Sequence, residues 1–255
     1  MKLAITRPVS PALDRCELSF VNRSPIDIGL AVSQHRAYLD ALFACGCSVR
    51  ELAAEPELPD SVFVEDTAVV LDEVAVITRP GAESRRPELR SMASMLGEYR
   101  ELVQIAAPGT LDGGDVLRIG RTIYVGESAR SNAAGIEQLR TLLKRFDYRV
   151  QGVPLRGCLH LKTAVTRVAP DLLLVNPAFV DAGMFDGMHS IAVDPAEPHA
   201  ANALLINEQV IYPQSCPRTA ARLQARGASI THVDMSETEK AEGGVTCCSV
   251  IFDVE

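Results

Sequence analysis

The chain has 255 residues and a net charge of −8 at pH 7, with 47% hydrophobic and 23% charged residues. A chain of this length and composition buries a sizeable core, which excludes an intrinsically disordered protein. Nucleic-acid-binding proteins present a basic face, so the acidic balance argues against a nucleic-acid partner and suits a small cationic substrate.

The apolar run in the amino-terminal segment MKLAITRPVS is too short for the core of a signal peptide. No apolar run elsewhere approaches the length of a membrane span. The seven cysteines are odd in number and show no disulfide framework, which is typical of a reduced protein with free thiols. Cys45 and Cys47 lack the spacing of a zinc site and are interpreted as core thiols rather than metal ligands. We therefore expect a cytoplasmic protein with no membrane partner and no metal.

The first predicted elements, in chain order, are a strand at KLAITRP, a helix at SQHRAYLDALFACG that Gly46 ends, and a short strand at CSVREL. The segments SVFVEDTAVVL and VAVITRP are predicted to be strands joined by a tight turn at Asp72 and Glu73. A helix at RPELRSMASMLGEY, with Pro87 in its first turn, and a strand at ELVQIA complete this stretch.

The order of hairpin, helix and strand recurs twice. One copy has its hairpin turn at Gly120 and Arg121, and the other at Glu208 and Gln209. The segment AITRP at Ala4 returns as VITRP at Val76, 72 residues later, which we interpret as two modules of about 36 residues. A repeated unit of this kind predicts an α/β fold in which about five modules form a closed ring around a central channel. An ordinary α+β sandwich is the alternative. No Pro- or Ser-rich linker divides the chain, so residues 1–255 are expected to form a single domain.

Two adjacent cysteines, Cys247 and Cys248, follow Gly243 and Gly244 near the end of the chain. Two glycines let a backbone approach a ligand closely, although free cysteines are most often buried core residues. The two cysteines are predicted to lie in the apolar strand that follows, where neighbouring side chains point to opposite faces, so one thiol faces a pocket and the other faces the scaffold. The residues alone leave open which one is the nucleophile.

A cysteine nucleophile needs a base or a cation nearby. His160 lies in the apolar run CLHLKTAV, where a satisfied core histidine is the alternative interpretation. A catalytic histidine is oriented by a carboxylate, and Asp112 of TLDGGDVL is the candidate, unless that segment is only a hairpin turn.

Carboxylates and arginines supply the candidate binding groups. Asp60, Glu65 and Asp66 surround an apolar segment, where carboxylates either face water at a sheet edge or face a cationic ligand. Arg85 and Arg130 are either solvated surface residues or a pair that clamps a carboxylate.

Seven motifs in one order over nearly the whole chain resemble the dimethylarginine dimethylaminohydrolase family: ITRP, SVFVEDTAVV, VITRPGAESRR, LDGGDVL, SARSN, LHLK and GGVTCCSV. The resemblance implies the pentein fold, a five-bladed α/β propeller of repeated ββαβ modules around a central channel. It also implies a hydrolase that converts asymmetric dimethylarginine and monomethylarginine to citrulline plus dimethylamine or methylamine, through a covalent thiouronium on cysteine. No cofactor is implied, and a monomer or homodimer is expected.

The resemblance also implies roles for particular residues of this sequence. Cys247 is the expected nucleophile, His160 the acid and base, and Asp112 the residue that orients His160. The expected substrate-binding residues are Glu65 and Asp66 for the guanidinium, Asp60 and the carbonyl of Leu18 in a lid for the α-amino group, Arg85 and Arg130 for the α-carboxylate, and the backbone of Ala241.

Two rival functions remain at this point. An arginine deiminase performs the same chemistry on free arginine. Members of that family are typically longer than this chain and carry an inserted helical segment that we do not find in this sequence. A non-catalytic pentein that binds the ribosome would not need the cysteine, the histidine and two carboxylate motifs together.

Overall fold

Five three-stranded sheets form the protein in the computed structural model, which describes residues 1–254. The strands are β1 (Lys2–Thr6), β2 (Cys47–Glu51), β3 (Ala68–Val70), β4 (Val74–Ile77), β5 (Glu101–Gln104), β6 (Val116–Ile119), β7 (Thr122–Glu127), β8 (Arg149–Pro154), β9 (Val165–Ala169), β10 (Leu172–Val175), β11 (His189–Ala192), β12 (Leu204–Ile206), β13 (Gln209–Pro213), β14 (Ser229–Val233) and β15 (Val250–Asp253). The α-helices are α1 (Ile28–Ala44), α2 (Leu89–Leu96), α3 (Ala133–Leu143), α4 (Leu161–Ala164), α5 (Pro217–Gln224) and α6 (Ser236–Glu239).

Each sheet has the same construction. A central strand pairs antiparallel with one neighbour and parallel with the other, in the orders β15-β1-β2, β3-β4-β5, β6-β7-β8, β9-β10-β11 and β12-β13-β14. A parallel neighbour requires a crossover, and helices α1, α2, α3 and α5 supply it in four modules. In the fourth module along the chain a 3-10 helix, Ala182–Met184, takes that place.

The first module is assembled from both ends of the chain. Strand β15 pairs with β1 from Lys2 opposite Asp253 to Ile5 opposite Val250, and Lys2 also forms an ion pair with Asp253. The hairpin of this module is therefore split between the two termini, and its pairing closes the ring.

One strand of each sheet faces the ring axis. Strands β3, β6, β9, β12 and β15 together line a central cavity of about 630 Å³. The predicted propeller of five modules around a channel is therefore confirmed. No helix among residues 1–254 has the length and apolar character needed to cross a membrane.

The spacing of the ITRP repeat was misinterpreted as two modules. Ala4 lies in β1 and Val76 in β4, and these are the central strands of two successive sheets. One module therefore occupies 72 residues here, because long segments before α1 and after β2 enlarge it.

Several predicted boundaries also shift. The segment expected to be one long strand around Glu65 contains a 3-10 helix, Val64–Thr67, because Glu65 donates its N–H to the carbonyl of Cys247 at 3.1 Å instead of joining a strand ladder. Helix α1 starts earlier than predicted, at Ile28, because the side chain of Asp27 caps it by accepting from the N–H of Leu30. The last hairpin turns at Asn207 rather than at Gln209, since Asn207 adopts a positive φ of 54°.

Helix α1 connects the outer layer to the carboxyl-terminal loop. Tyr38 and Leu42 on its inner face are fully buried. The Tyr38 hydroxyl donates to the carbonyl of Val245 at 2.9 Å and lies 2.7 Å from the hydroxyl of Ser249. This helix therefore holds both sides of the loop that carries the cysteine pair.

Candidate active site

Residues 241–249 form a loop, called here the cysteine loop, between α6 and β15. Cys247 and Cys248 lie in a turn within it, so the prediction that they lie in a strand is wrong. The turn forms because the N–H of Cys247 donates to the carbonyl of Gly244 at 3.1 Å, while the N–H of Gly244 donates to Sγ of Cys247 at 3.3 Å.

The two glycines of the cysteine loop let its backbone approach protein side chains. A Cβ on Gly243 would lie 2.3 Å from the ring of Phe63, and one on Gly244 would lie 2.4 Å from the side-chain oxygen of Asn202. Any larger residue would displace these neighbours. The glycines therefore fix the loop against the scaffold, whereas the sequence had suggested a close approach to a ligand.

The two thiols occupy different environments. Cys248 is fully buried among apolar residues, whereas Cys247 is half-buried and lines a cavity of about 350 Å³. His160, Glu65 and Gly114 line the same cavity. Only Cys247 therefore lies where a ligand in this cavity would reach it.

The thiol of Cys247 is neutral at pH 7. Burial raises its pKa to about 12, with further contributions from the negative charges of Glu65 and Asp66. The hydrogen bond from Gly244 opposes this effect only in part. A bound cation that offsets the two carboxylates would favour the thiolate.

His160 stands at the start of α4, where it precedes the helix as its N-cap residue; it does not lie in the strand-like run that its neighbours suggested. Its Nε2 lies 3.1 Å from Oδ2 of Asp112 and 3.9 Å from Oδ1 of Asp66. Burial lowers the pKa of the imidazole, but the charges of Asp66, Asp115 and Asp112 together outweigh burial and raise it to about 9. His160 is therefore a cation at neutral pH and can donate a proton.

A buried hydrogen-bond network positions the partners of His160. Oδ1 of Asp112 accepts from the N–H of Gly81 at 2.9 Å, and the N–H of Asp112 donates to the hydroxyl of Ser131 at 3.0 Å. Asp115 accepts from the N–H of Leu161 at 2.9 Å and from the hydroxyl of Ser131 at 2.6 Å. Burial raises the pKa of Asp115 to about 6. These bonds fix the turn that aims the imidazole.

Asp66 and Arg85 form a buried ion pair. Nη1 of Arg85 lies 2.5 Å from Oδ2 of Asp66, and Nη2 lies 2.9 Å from Oε2 of Glu88. The guanidinium of Arg85 also donates from Nε to Glu88 and from Nη2 to the carbonyl of Phe63. Four of its five N–H groups thus have partners in the protein. Despite burial, the charge of His160 and that of Arg85 lower the pKa of Asp66 to about 2, so this carboxylate is ionised.

Glu65 is held by two residues that the sequence interpretation missed. Nζ of Lys162 donates to Oε1 of Glu65 at 2.7 Å, and the hydroxyl of Thr246 donates to Oε2 at 2.7 Å. Asn202 in turn bonds both the N–H and the hydroxyl of Thr246. Lys162 and Glu65 line both the central cavity and the cavity of Cys247, so this ion pair lies between them.

The segment of residues 16–24, called here the lid, contacts the remaining predicted residues. Asp60 is buried and accepts from the N–H of Glu17 in the lid at 3.1 Å. Arg130 donates to the hydroxyl of Ser19 at 3.2 Å. Leu18 is half-buried against the core, and Ala241 is buried at the start of the cysteine loop.

The structure therefore brings the predicted residues into three groups. The first is Cys247 and Glu65 in one cavity with His160; the second is Asp112 and Asp66 around the imidazole; the third is Asp60 and Arg130 under the lid. The missed residues Lys162 and Asp115 lie inside the motifs LHLK and LDGGD. Their charge was the available signal.

Three atoms of Asp66, Asp112 and His160 lie within 4.8 Å of one another, a geometry that can hold a metal ion. A metal ligand must be a neutral imidazole. Since the carboxylates raise the pKa of His160 to about 9, a metal at this cluster would have to displace a proton from the imidazole.

The ring of five modules, with a thiol and an imidazolium in one cavity, defines a hydrolase of the pentein fold with a cysteine in its candidate active site. The family model described as N,N dimethylarginine dimethylhydrolase, eukaryotic, matches residues 17–182. The N(G),N(G)-dimethylarginine dimethylaminohydrolase of Streptomyces coelicolor is 42% identical over 251 residues, which is 98% of this chain and 96% of the relative. The chain belongs to the dimethylarginine dimethylaminohydrolase family.

Further relatives agree. The N(G),N(G)-dimethylarginine dimethylaminohydrolase of Pseudomonas aeruginosa is 38% identical over 89% of this chain and 90% of its own. A solved structure of a cysteine-to-serine variant of the Pseudomonas aeruginosa enzyme in complex with citrulline superposes with a TM-score of 0.93 at 35% identity, covering 98% of both chains. The N-terminal domain of the cyanobacterial arginine dihydrolase ArgZ shares the fold, with a TM-score of 0.87 at 21% identity over 98% of this chain and 97% of that domain.

Proposed function

We propose that this protein hydrolyses Nω-methylarginines, asymmetric dimethylarginine and monomethylarginine, to citrulline plus dimethylamine or methylamine. One observation carries the proposal: a half-buried thiol and an imidazolium line one cavity, and two carboxylates adjoin them. The names and ligands of the relatives, dimethylarginine dimethylaminohydrolases with citrulline or S-methyl-L-thiocitrulline bound, support the same substrate class.

Substrate binding starts the reaction. The guanidinium of a methylarginine is a cation, and Glu65 and Asp66 supply negative charge beside Cys247. Burial and these two carboxylates hold the pKa of the Cys247 thiol at about 12. A bound cation favours the thiolate, and the thiol proton then leaves to solvent. The enzyme is thus activated only when a cationic substrate occupies the site.

The thiolate of Cys247 then attacks the central guanidino carbon and forms an S–C bond. His160, protonated because its pKa is about 9, donates its proton to the methylated nitrogen. The C–N bond breaks and the amine leaves as a neutral molecule. A cationic thiouronium remains on Cys247, and His160 is neutral.

Hydrolysis completes the cycle. Neutral His160 accepts a proton from a water molecule that attacks the thiouronium carbon. The S–C bond breaks, citrulline forms, and the second proton of the attacking water passes to the departing sulfur, so that Cys247 returns to its neutral thiol. Asp112 holds the imidazole at 3.1 Å through both steps, so the same ring serves as acid and then as base.

The groups under the lid suit the amino-acid end of the substrate. Asp60 is an acceptor for the α-amino group together with the carbonyl of Leu18, and Arg130 is a donor for the α-carboxylate. Arg85 retains one N–H group for the same carboxylate, although its main partners are Asp66 and Glu88. The backbone of Ala241 is a further contact at the base of the cysteine loop.

The chain would act as a single catalytic domain on a small molecule. All seven cysteines are free thiols, and free thiols persist in a reducing compartment, which supports a cytoplasmic location. No nucleic-acid or membrane partner is part of the proposal, and a monomer or homodimer would suffice because every proposed site residue belongs to one chain.

The test is a citrulline assay on asymmetric dimethylarginine, monomethylarginine, symmetric dimethylarginine and arginine. The proposed function requires turnover of the first two and little of the last two. Faster release of citrulline from plain arginine would instead identify an arginine deiminase. A matched Cys247→Ser protein, which keeps the cavity but lacks the thiol, controls for contaminating activity.

A further inference from the structure

The carboxylate of Glu242 binds the lid. It accepts from the backbone N–H of Ser19 at 3.0 Å, from that of Val21 at 2.7 Å and from that of Phe20. Three consecutive backbone N–H groups thus converge on one side chain, 221 residues or more away in the sequence. Hydrogen bonds to an ionised acceptor are stronger than those between neutral groups.

The lid has further polar anchors, and the substrate would need two of them, Asp60 and Arg130; a third, the hydroxyl of Ser84, donates to the side chain of Glu17 at 2.6 Å. Asp60 accepts from the N–H of Glu17, and Arg130 donates to the hydroxyl of Ser19. In the proposed function these two side chains bind the α-amino and α-carboxylate groups. Once substrate takes Asp60 and Arg130, Ser84 still holds Glu17, and Glu242 holds the backbone of residues 19–21.

Glu242 is also fixed relative to the nucleophile. It begins the run Glu242–Gly243–Gly244 that leads to Cys247, and the two glycines pack against Phe63 and Asn202. Glu242 itself has a positive φ of 60°. Phe20, Val21 and Glu242 line the same cavity as Cys247, so the contact lies at the mouth of the site.

We infer that Glu242 is a positioning residue that latches the lid shut over bound substrate through its three hydrogen bonds to residues 19–21. This inference rests on the proposed function for its effect on catalysis. Glu242 touches no reacting atom in the mechanism above. Its loss would lower the fraction of protein with a closed lid, and an apparent affinity falls in proportion to that fraction.

The first experiment measures lid opening without using activity. Arg15 and Arg23 are exposed and flank the lid contact, and trypsin cleaves a bond only when the backbone around it unfolds locally, so nicking at these two sites reports how often the lid opens. In the Glu242→Gln protein we expect nicking at these two sites to be about tenfold faster than in wild type, as the loss of a charged anchor shifts the population of open lid. Glu208→Gln, in an exposed turn far along the chain, is the matched control and should nick like wild type.

The second experiment removes a donor instead of the acceptor. Val21→Pro lacks the N–H that bonds Glu242, whereas Val21→Ala keeps it. Val21→Pro should speed nicking and Val21→Ala should not. In a Glu242→Ala background Val21→Pro should add nothing further, because the shared contact is already lost.

Steady-state kinetics then connects the latch to catalysis. Glu242→Gln should raise KM for asymmetric dimethylarginine by about tenfold and change kcat by less than about threefold. Unchanged nicking in Glu242→Gln, or faster nicking with an unchanged KM, would overturn the inference. If wild type itself releases no citrulline, the proposed function fails, while the nicking rates still decide whether Glu242 holds the lid.

Discussion

Nε2 of His160 lies 3.1 Å from Oδ2 of Asp112, a carboxylate with no exposed surface. A buried carboxylate that accepts a hydrogen bond from an imidazole stabilises the protonated form of that imidazole. Burial lowers the pKa of His160, but the charges of Asp66 and Asp115, together with this hydrogen bond, raise it to about 9. His160 is therefore protonated before substrate binds.

His160 should make stability depend on pH. Its folded-state pKa lies above the ordinary value of 6.5, so its stabilising contribution is present below pH 6.5 and is lost as the pH rises through 9. With each pKa unit worth about 1.4 kcal/mol, the free energy of unfolding contributed in this way is on the order of 3 kcal/mol. Denaturant unfolding of wild type and His160→Gln at pH 6 and pH 9.5 should show the gap between them shrinking. A gap that widens at high pH would contradict the assigned ionisation. The same variant should lose roughly 10²–10⁴-fold in kcat.

Cys247 should react differently with neutral and with cationic reagents. Because its pKa is about 12, the rate of alkylation by neutral iodoacetamide should keep rising with pH beyond 9. A haloacetamidine carries the positive charge of a guanidinium, offsets Glu65 and Asp66, and should label the thiol faster at pH 7.5. The check is the rate of inactivation by each reagent between pH 7 and pH 10. A plateau for iodoacetamide below pH 8 would show that the free enzyme already holds a thiolate.

The same substitution, cysteine to serine, should have different effects on activity and stability at the two adjacent cysteines. Cys247→Ser should abolish turnover and labelling while leaving the fold unchanged. Cys248→Ser should keep most of the activity but lower the free energy of unfolding by about 1–3 kcal/mol, since a hydroxyl is buried without water. Peptide mapping of the labelled sulfur decides the assignment, and a label on Cys248 would reverse it.

Replacing Arg85 and replacing Arg130 should also have different effects on stability and on KM. Arg85→Ala leaves Asp66 and Glu88 buried without their partner and should lower the free energy of unfolding by about 3–5 kcal/mol. The guanidinium of Arg130 has one hydrogen bond within residues 1–254, to the lid hydroxyl of Ser19, and no ion pair, so Arg130→Ala should raise KM and leave stability within about 1 kcal/mol of wild type. Thermal or denaturant unfolding and steady-state kinetics of both variants provide the comparison. Equal losses of stability would place Arg130 in a structural ion pair as well.

The amino-acid sequence by itself determined the modules and the family. Alternating apolar residues, the turns at Asp72 and Gly120 and the stop at Gly46 are local signals, and local backbone preferences carry them into the structure. The motif order gave the fold and the class of chemistry, because seven short matches in register leave few alternatives. The period of the repeat was misinterpreted because the segments before α1 and after β2 have no regular pattern to measure.

Only the tertiary structure decided how the chemical groups are placed. It closed the ring by pairing Lys2 with Asp253, put Cys247 in the cavity and Cys248 in the core, and assigned Arg85 to Asp66. These contacts join residues that are far apart in the chain, and a linear pattern carries no distance between them. The pKa values follow the same rule, since burial and the charges of Glu65, Asp66 and Asp112 act through space. For that reason, the sequence identifies the thiol and the imidazole, but only the folded structure determines whether each is protonated.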